Sequence, residues 1–93
     1  MKSITEKGAI VRFNTPTYRY IPYSGNESEG ETYQVEGKTF RVLSFYTRWI
    51  CGGGNSERPY GAVDLECVED GATIAGVLIA NYYFTKAPLE LAE

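Results

Sequence analysis

Residues 38–50 read Lys-Thr-Phe-Arg-Val-Leu-Ser-Phe-Tyr-Thr-Arg-Trp-Ile. The stretch has no Gly or Pro and is rich in aromatic and β-branched residues, the types that suit a pleated surface. Successive strand residues face opposite sides. An unbroken alternation puts Phe40, Val42, Ser44 and Tyr46 on one face, and Arg41, Leu43, Phe45, Thr47 and Trp49 on the other. Apolar residues on both faces predict a strand that bends near Ser44 or lies centrally in a small barrel.

Downstream, Cys51-Gly52-Gly53-Gly54-Asn55-Ser56-Glu57-Arg58-Pro59 reads as a flexible loop. Residues 61–68 alternate cleanly, with Val63, Leu65 and Cys67 inward and Asp64 and Glu66 outward. Glu69-Asp70-Gly71 is a hairpin turn, and residues 72–79 are the returning strand. Residues 80–84 predict one helical turn, and residues 88–91 a closing edge strand.

Upstream, Gly8 opens a strand over residues 9–13, and Asn14-Thr15-Pro16-Thr17 turns the chain. Tyr18-Arg19-Tyr20-Ile21-Pro22-Tyr23 is at best an edge strand or an extended loop, because Pro22 cannot donate to a ladder. Residues 24–31 contain no apolar side chain and predict a solvent loop. Residues 32–35 form a short strand closed by a Glu36-Gly37 turn. The expectation is one all-β domain over residues 1–93. It would be a small antiparallel barrel or rolled sheet of five to six strands, with a short helical turn near its C-terminal end.

Gly76-Val77-Leu78-Ile79-Ala80-Asn81-Tyr82-Tyr83-Phe84 resembles the end of an SH3 domain. There the pattern is Gly, two variable residues, Pro, a small residue, Asn, Tyr and an apolar residue. The preceding Val68-Glu69-Asp70-Gly71 is similar to the SH3 distal turn. The resemblance covers the last third of the chain and implies an SH3-like barrel. Ile79 stands where SH3 domains place the Pro that lines their Pro-rich-ligand groove. Trp49-Ile50 lies too far upstream to match the paired Trp of the third strand. The groove that the resemblance implies is therefore incomplete.

The chain carries 9 basic and 12 acidic residues, a net charge of -3. That balance argues against generic nucleic-acid binding, which needs many phosphate contacts. The charge comes in blocks. Residues 1–23 and 38–60 are each +3, while residues 24–37 are -4 and residues 61–93 are -5. Such blocks suit a protein partner with its own charge pattern as well as they suit plain solvation.

No apolar run is long enough for a signal peptide or a membrane span, and the polar start reads as cytoplasmic. Two cysteines do not make a disulfide framework and are read as free thiols.

There is no histidine, which removes the commonest general base and metal ligand. Two cysteines cannot complete a zinc site. A phosphate-binding loop needs Lys and Ser or Thr after its last Gly, and here Asn55-Ser56-Glu57 follows. Asp64 and Glu66 are read first as a solvated hairpin face and only second as a weak cation site. No cofactor, metal or catalytic residue is expected.

Binding is expected on two surfaces. The first is Tyr18, Arg19, Tyr20 and Tyr23, because Tyr and Arg supply interface hot spots, with two of the tyrosines equally suited to cover the barrel's open end. The second is Tyr46, Arg48 and Trp49 with Arg58 and Tyr60, where an aromatic beside Arg could anchor a partner or stack on a nucleobase, although a lone Trp in so small a domain is read first as core and only second as an anchor. The first-ranked expectation is a non-enzymatic protein-binding module. Its make-up resembles that of the small stoichiometric inhibitors or modulators encoded by phages and mobile elements. A single-stranded nucleic-acid or nucleotide binder and a small-ligand sequestering protein stay open. Free strand edges also leave room for a homo-oligomer.

Overall fold

A computed structural model describes residues 3–52, 56–80 and 87–92. They form seven strands: β1 (Ile10–Phe13), β2 (Thr17–Arg19), β3 (Thr32–Gln34), β4 (Phe40–Gly52), β5 (Ser56–Cys67), β6 (Thr73–Ala80) and β7 (Leu89–Leu91). Five of them make one antiparallel sheet in the order β6-β5-β4-β1-β7, and β2 and β3 pair as a separate two-stranded ribbon. Among the described residues the sheet is open, with β6 and β7 at its edges. The fold is thus all-β and antiparallel, as residues 38–80 predict. A closed barrel is not seen.

Where the sequence suggests a bend, β4 carries a register shift between Val42 and Ser44. Val42 stands opposite Leu65 and Phe45 opposite Val63, so Leu43 is the extra residue of a bulge. The bulge swaps the faces of the strand. Phe40 and Val42 therefore share a face with Phe45, Thr47 and Trp49, instead of with Tyr46. This resolves the conflict of a strand apolar on both sides.

The main core lies on that face. Val11, Phe40, Val42, Val63, Leu65 and Val77 are almost wholly buried, and Phe13, Tyr18, Val35 and Leu89 close over them. The Phe13 ring meets Phe40 edge-on at 5.4 Å, a geometry favoured by aromatic quadrupoles, and lies tilted against Tyr18 at 5.0 Å. A smaller cluster of Ile50, Tyr60, Ala62 and Leu78, with Ile21 against it, forms a second apolar centre.

Two local expectations change. The loop over residues 51–59 shortens, because β4 runs through Cys51 and Gly52 and β5 already begins at Ser56. Pro59 stands inside β5 opposite Trp49 of β4, two residues beyond Gly61, where the described β5–β6 pairing ends at Ala80. Of the acidic loop, residues 27–29 make one 3₁₀ turn. The helical turn expected at residues 80–84 lies outside the described residues, apart from Ala80, which ends β6. The turn after β5 is as expected, with Gly71 at a φ of 76° and the Asp70 carboxylate accepting the Ala72 N–H at 2.8 Å. The closing strand is β7, paired with β1.

Candidate functional site

The structure divides the nine expected binding residues into those that build the fold and those that face outward. Tyr18 and Tyr60 are core residues, 8% and 7% exposed. The Tyr18 hydroxyl is sealed from solvent without a hydrogen bond of good geometry. Burial pushes its pKa to about 12, although the nearby Leu78 N–H and the Arg48 charge pull the other way.

Arg48 and Tyr46 are tied into a polar network across β4, β5 and β6. The half-buried Arg48 guanidinium donates to the Gly76 carbonyl at 2.6 Å and to the Ile21 carbonyl at 2.9 Å. It also lies 4.8 Å from the centre of the Tyr20 ring, a cation–π contact. Tyr46 donates its hydroxyl to Asp64 Oδ1 at 2.7 Å. The same oxygen accepts the Gly76 N–H at 2.9 Å, and Asp64 Oδ2 accepts the Ser44 hydroxyl at 3.3 Å. Burial first, then the Asp64 carboxylate, raises the Tyr46 phenol to about 12.

Asp64 therefore joins three strands. Glu66 pairs with Arg41 at 3.0 Å. Among the described residues no group of three metal-ligating side chains forms.

The outward-facing residues are Arg19, Tyr23, Trp49 and Arg58, and Tyr46 is also exposed despite its bond to Asp64. Arg19 reaches the Gly30 carbonyl at 3.5 Å. Tyr23 is 54% exposed, and its hydroxyl donates to Glu57, which raises the phenol's pKa. Trp49 is 53% exposed, opposite Pro59. Phe45, which the sequence reading left out of the site, is also 53% exposed. It shares Trp49's face, four residues away and about 13 Å along the strand. A Cβ on Gly61 would stand 3.2 Å from the Phe45 ring and 3.5 Å from Ile79, so the ring lies over a glycine floor. The signal was present in the odd-numbered alternation of residues 45–49.

The two expected surfaces are linked by Arg48, which lies over Tyr20 and holds the carbonyl that precedes Pro22. Cys67 is buried beside Glu69, its Sγ 3.3 Å from the carboxylate, and burial keeps it a thiol by pushing its pKa up. A thiol so held is a poor nucleophile.

Comparison with protein-family models, curated proteins and solved structures finds no match. Function must therefore be argued from the geometry.

Proposed function

We propose that this chain is a non-enzymatic protein-binding module, and that its docking face is the distal half of the β4–β5 hairpin around Phe45 and Trp49. The observation that carries the reading is the pair itself. Two large aromatics stand half-exposed on one face of a strand whose earlier residues on that face, Phe40 and Val42, are buried. Rigid exposed aromatics on a regular element are the usual anchors of a protein interface. Thr47 and Pro59 complete this face, and Tyr23, whose hydroxyl donates to Glu57, is exposed beside its far end. A stoichiometric modulator acting in the cytoplasm suits two free thiols.

The SH3-like reading draws support from the tight turn joining β5 to β6 and from the pairing of β7 with β1. It adds no ligand, since Ile79 is buried where the groove proline would stand. The nucleic-acid alternative is weakened by the same face. The residues paired there with Cys51 and Trp49 are Glu57 and Pro59, neither of them a cation.

Capture from lysate with wild type, Trp49→Ala and Phe45→Ala tests the reading. A partner retained by wild type and lost with both variants, while their circular dichroism is unchanged, supports it. A partner held equally by all three overturns the site. An oligonucleotide titration at two salt concentrations distinguishes the alternative, because phosphate-driven affinity collapses with salt.

A further inference from the structure

A concavity lies between the β2–β3 ribbon and the start of β6, and it shares no residue with the Phe45–Trp49 face. It is a cleft of about 360 Å³. Its walls include Tyr20, Tyr33 and Pro22, its acidic rim is Glu29 and Glu31, and Ala75 of β6 closes the far side. The ribbon's register explains the grouping. Tyr18 stands opposite Tyr33, and the ladder continues with the Tyr20 N–H donating to the Glu31 carbonyl at 2.9 Å. Tyr18, Tyr20, Tyr33 and Glu31 thus occupy alternate positions of one ribbon face. Arg19, between them, points the other way.

The chemistry of this lining favours a positive charge. Residues 24–37 hold four glutamates and no Lys or Arg. Among the described residues the ion pairs are Arg12–Glu90, Lys38–Asp70 and Arg41–Glu66, so neither Glu29 nor Glu31 is neutralised by a described cation. Among the described residues both carboxylates meet neutral hydroxyls, Glu29 that of Ser24 at 2.9 Å and Glu31 that of Tyr33. Phenol faces attract cations through the ring quadrupole, and the Arg48 guanidinium already exploits this at Tyr20. Two half-buried tyrosines, a proline wall and two carboxylates at a concave mouth are the elements of a box for an organic cation.

We propose that this cleft binds an organic cation, a guanidinium or alkylammonium head, between the Tyr20 and Tyr33 rings and the Glu29 and Glu31 carboxylates. The head can come from a basic side chain of a partner protein or from a free quaternary ammonium compound.

The test is an NMR titration of the full chain that follows the Gly30 and Ala75 amides. The probes are N-acetyl-arginine amide and tetramethylammonium chloride, with N-acetyl-citrulline amide as the neutral control. Saturable shifts at both amides with a cationic probe, and none with citrulline, are expected. Glu31→Gln should weaken binding roughly tenfold, the loss expected for a charge-assisted contact. Tyr33→Leu should weaken it as well. Glu36→Gln makes the same change in net charge outside the cleft and should leave binding unchanged.

If only the arginine probe binds, the source is a partner's side chain. If tetramethylammonium binds as well as the arginine probe, it is a free cation. Both results support the site. Shifts that do not saturate, that citrulline reproduces, or that survive Glu31→Gln overturn it. Glu31 is an exposed side chain, so that variant folds whatever becomes of Tyr33→Leu.

Discussion

Arg48 and Gly76 hold each other in place. The guanidinium donates to the Gly76 carbonyl at 2.6 Å, and a Cβ on Gly76 would stand 3.1 Å from both Arg48 Cδ and Nη1. Gly76 sits at a φ of 69°, beside the register shift between Val63 and Leu65, and its N–H is bound by Asp64. The irregularity in the β5–β6 ladder is what aims one backbone carbonyl at Arg48 and one backbone amide at Asp64. Gly76 is required there twice, by conformation and by space.

Gly76→Ala should therefore destabilise by more than its backbone cost alone. A non-glycine residue in the left-handed region costs about 1–3 kcal/mol, and displacing Arg48 adds to that. Gly71 has a similar φ of 76° with nothing near its missing Cβ, so Gly71→Ala should show the backbone cost alone. Urea unfolding of the two variants measures the difference. Equal midpoints would show that the Arg48 contact contributes nothing.

Arg48→Lys should fail to restore what Arg48→Met removes. One planar guanidinium reaches two carbonyls on different segments, Gly76 and Ile21, and stacks on Tyr20. A lysine ammonium cannot reproduce that fork. Leaving half-buried carbonyls unpaired costs about 1–3 kcal/mol each. Both variants should lose stability by a similar amount in urea, and a lysine variant close to wild type would refute the bridging role.

The fold class was legible in the sequence because alternation and turn chemistry are local. The Val63–Leu65–Cys67 pattern, the Asp70-Gly71 turn and the edge character of residues 88–91 all follow from side-chain type and φ alone. The bulge at Leu43 was legible only as a contradiction, a strand apolar on both faces. The site was harder to read, since Tyr18, Tyr46, Arg48 and Tyr60 are polar-tipped residues that serve buried networks and open surfaces alike. Only long-range pairing decides between those uses. It puts Arg48 against Gly76, 28 residues away, and Tyr33 beside Tyr18. Alternation groups Phe45 with Trp49 on one face, but it does not say whether that face is core or solvent.

Cys51 and Cys67 should differ sharply in reactivity. Cys67 is 2% exposed and its thiol pKa is raised by burial, while Cys51 is half-buried near the hairpin tip. A thiol-specific reagent at neutral pH should label one cysteine in the native protein and both in denaturant, with mass spectrometry assigning the fast site to Cys51. Native labelling of Cys67 at a comparable rate would mean that the β5–β6 turn opens far more readily than its hydrogen bonds imply.

Alkaline pH should unfold the protein over a definite window. Tyr18 and Tyr46 are both raised from 10.0 to about 12 in the folded state. Below pH 10 the two phenols are neutral whether the chain is folded or not, so the stability linked to them is fully present. Above pH 10 the unfolded chain loses these protons while the folded chain still holds them. Stability must fall until the folded groups ionise as well, near pH 12. For the buried Tyr18 the slope is about 1.4 kcal/mol per pH unit. Tyr46 is 38% exposed and contributes less. Urea midpoints measured between pH 8 and 12 in a Cys67→Ala background, which removes the raised thiol, should be flat and then decline, and adding Tyr18→Phe, which keeps the ring and removes the proton, should flatten the decline. A decline that begins below pH 9, or one that Tyr18→Phe leaves untouched, would place the sensitive group elsewhere.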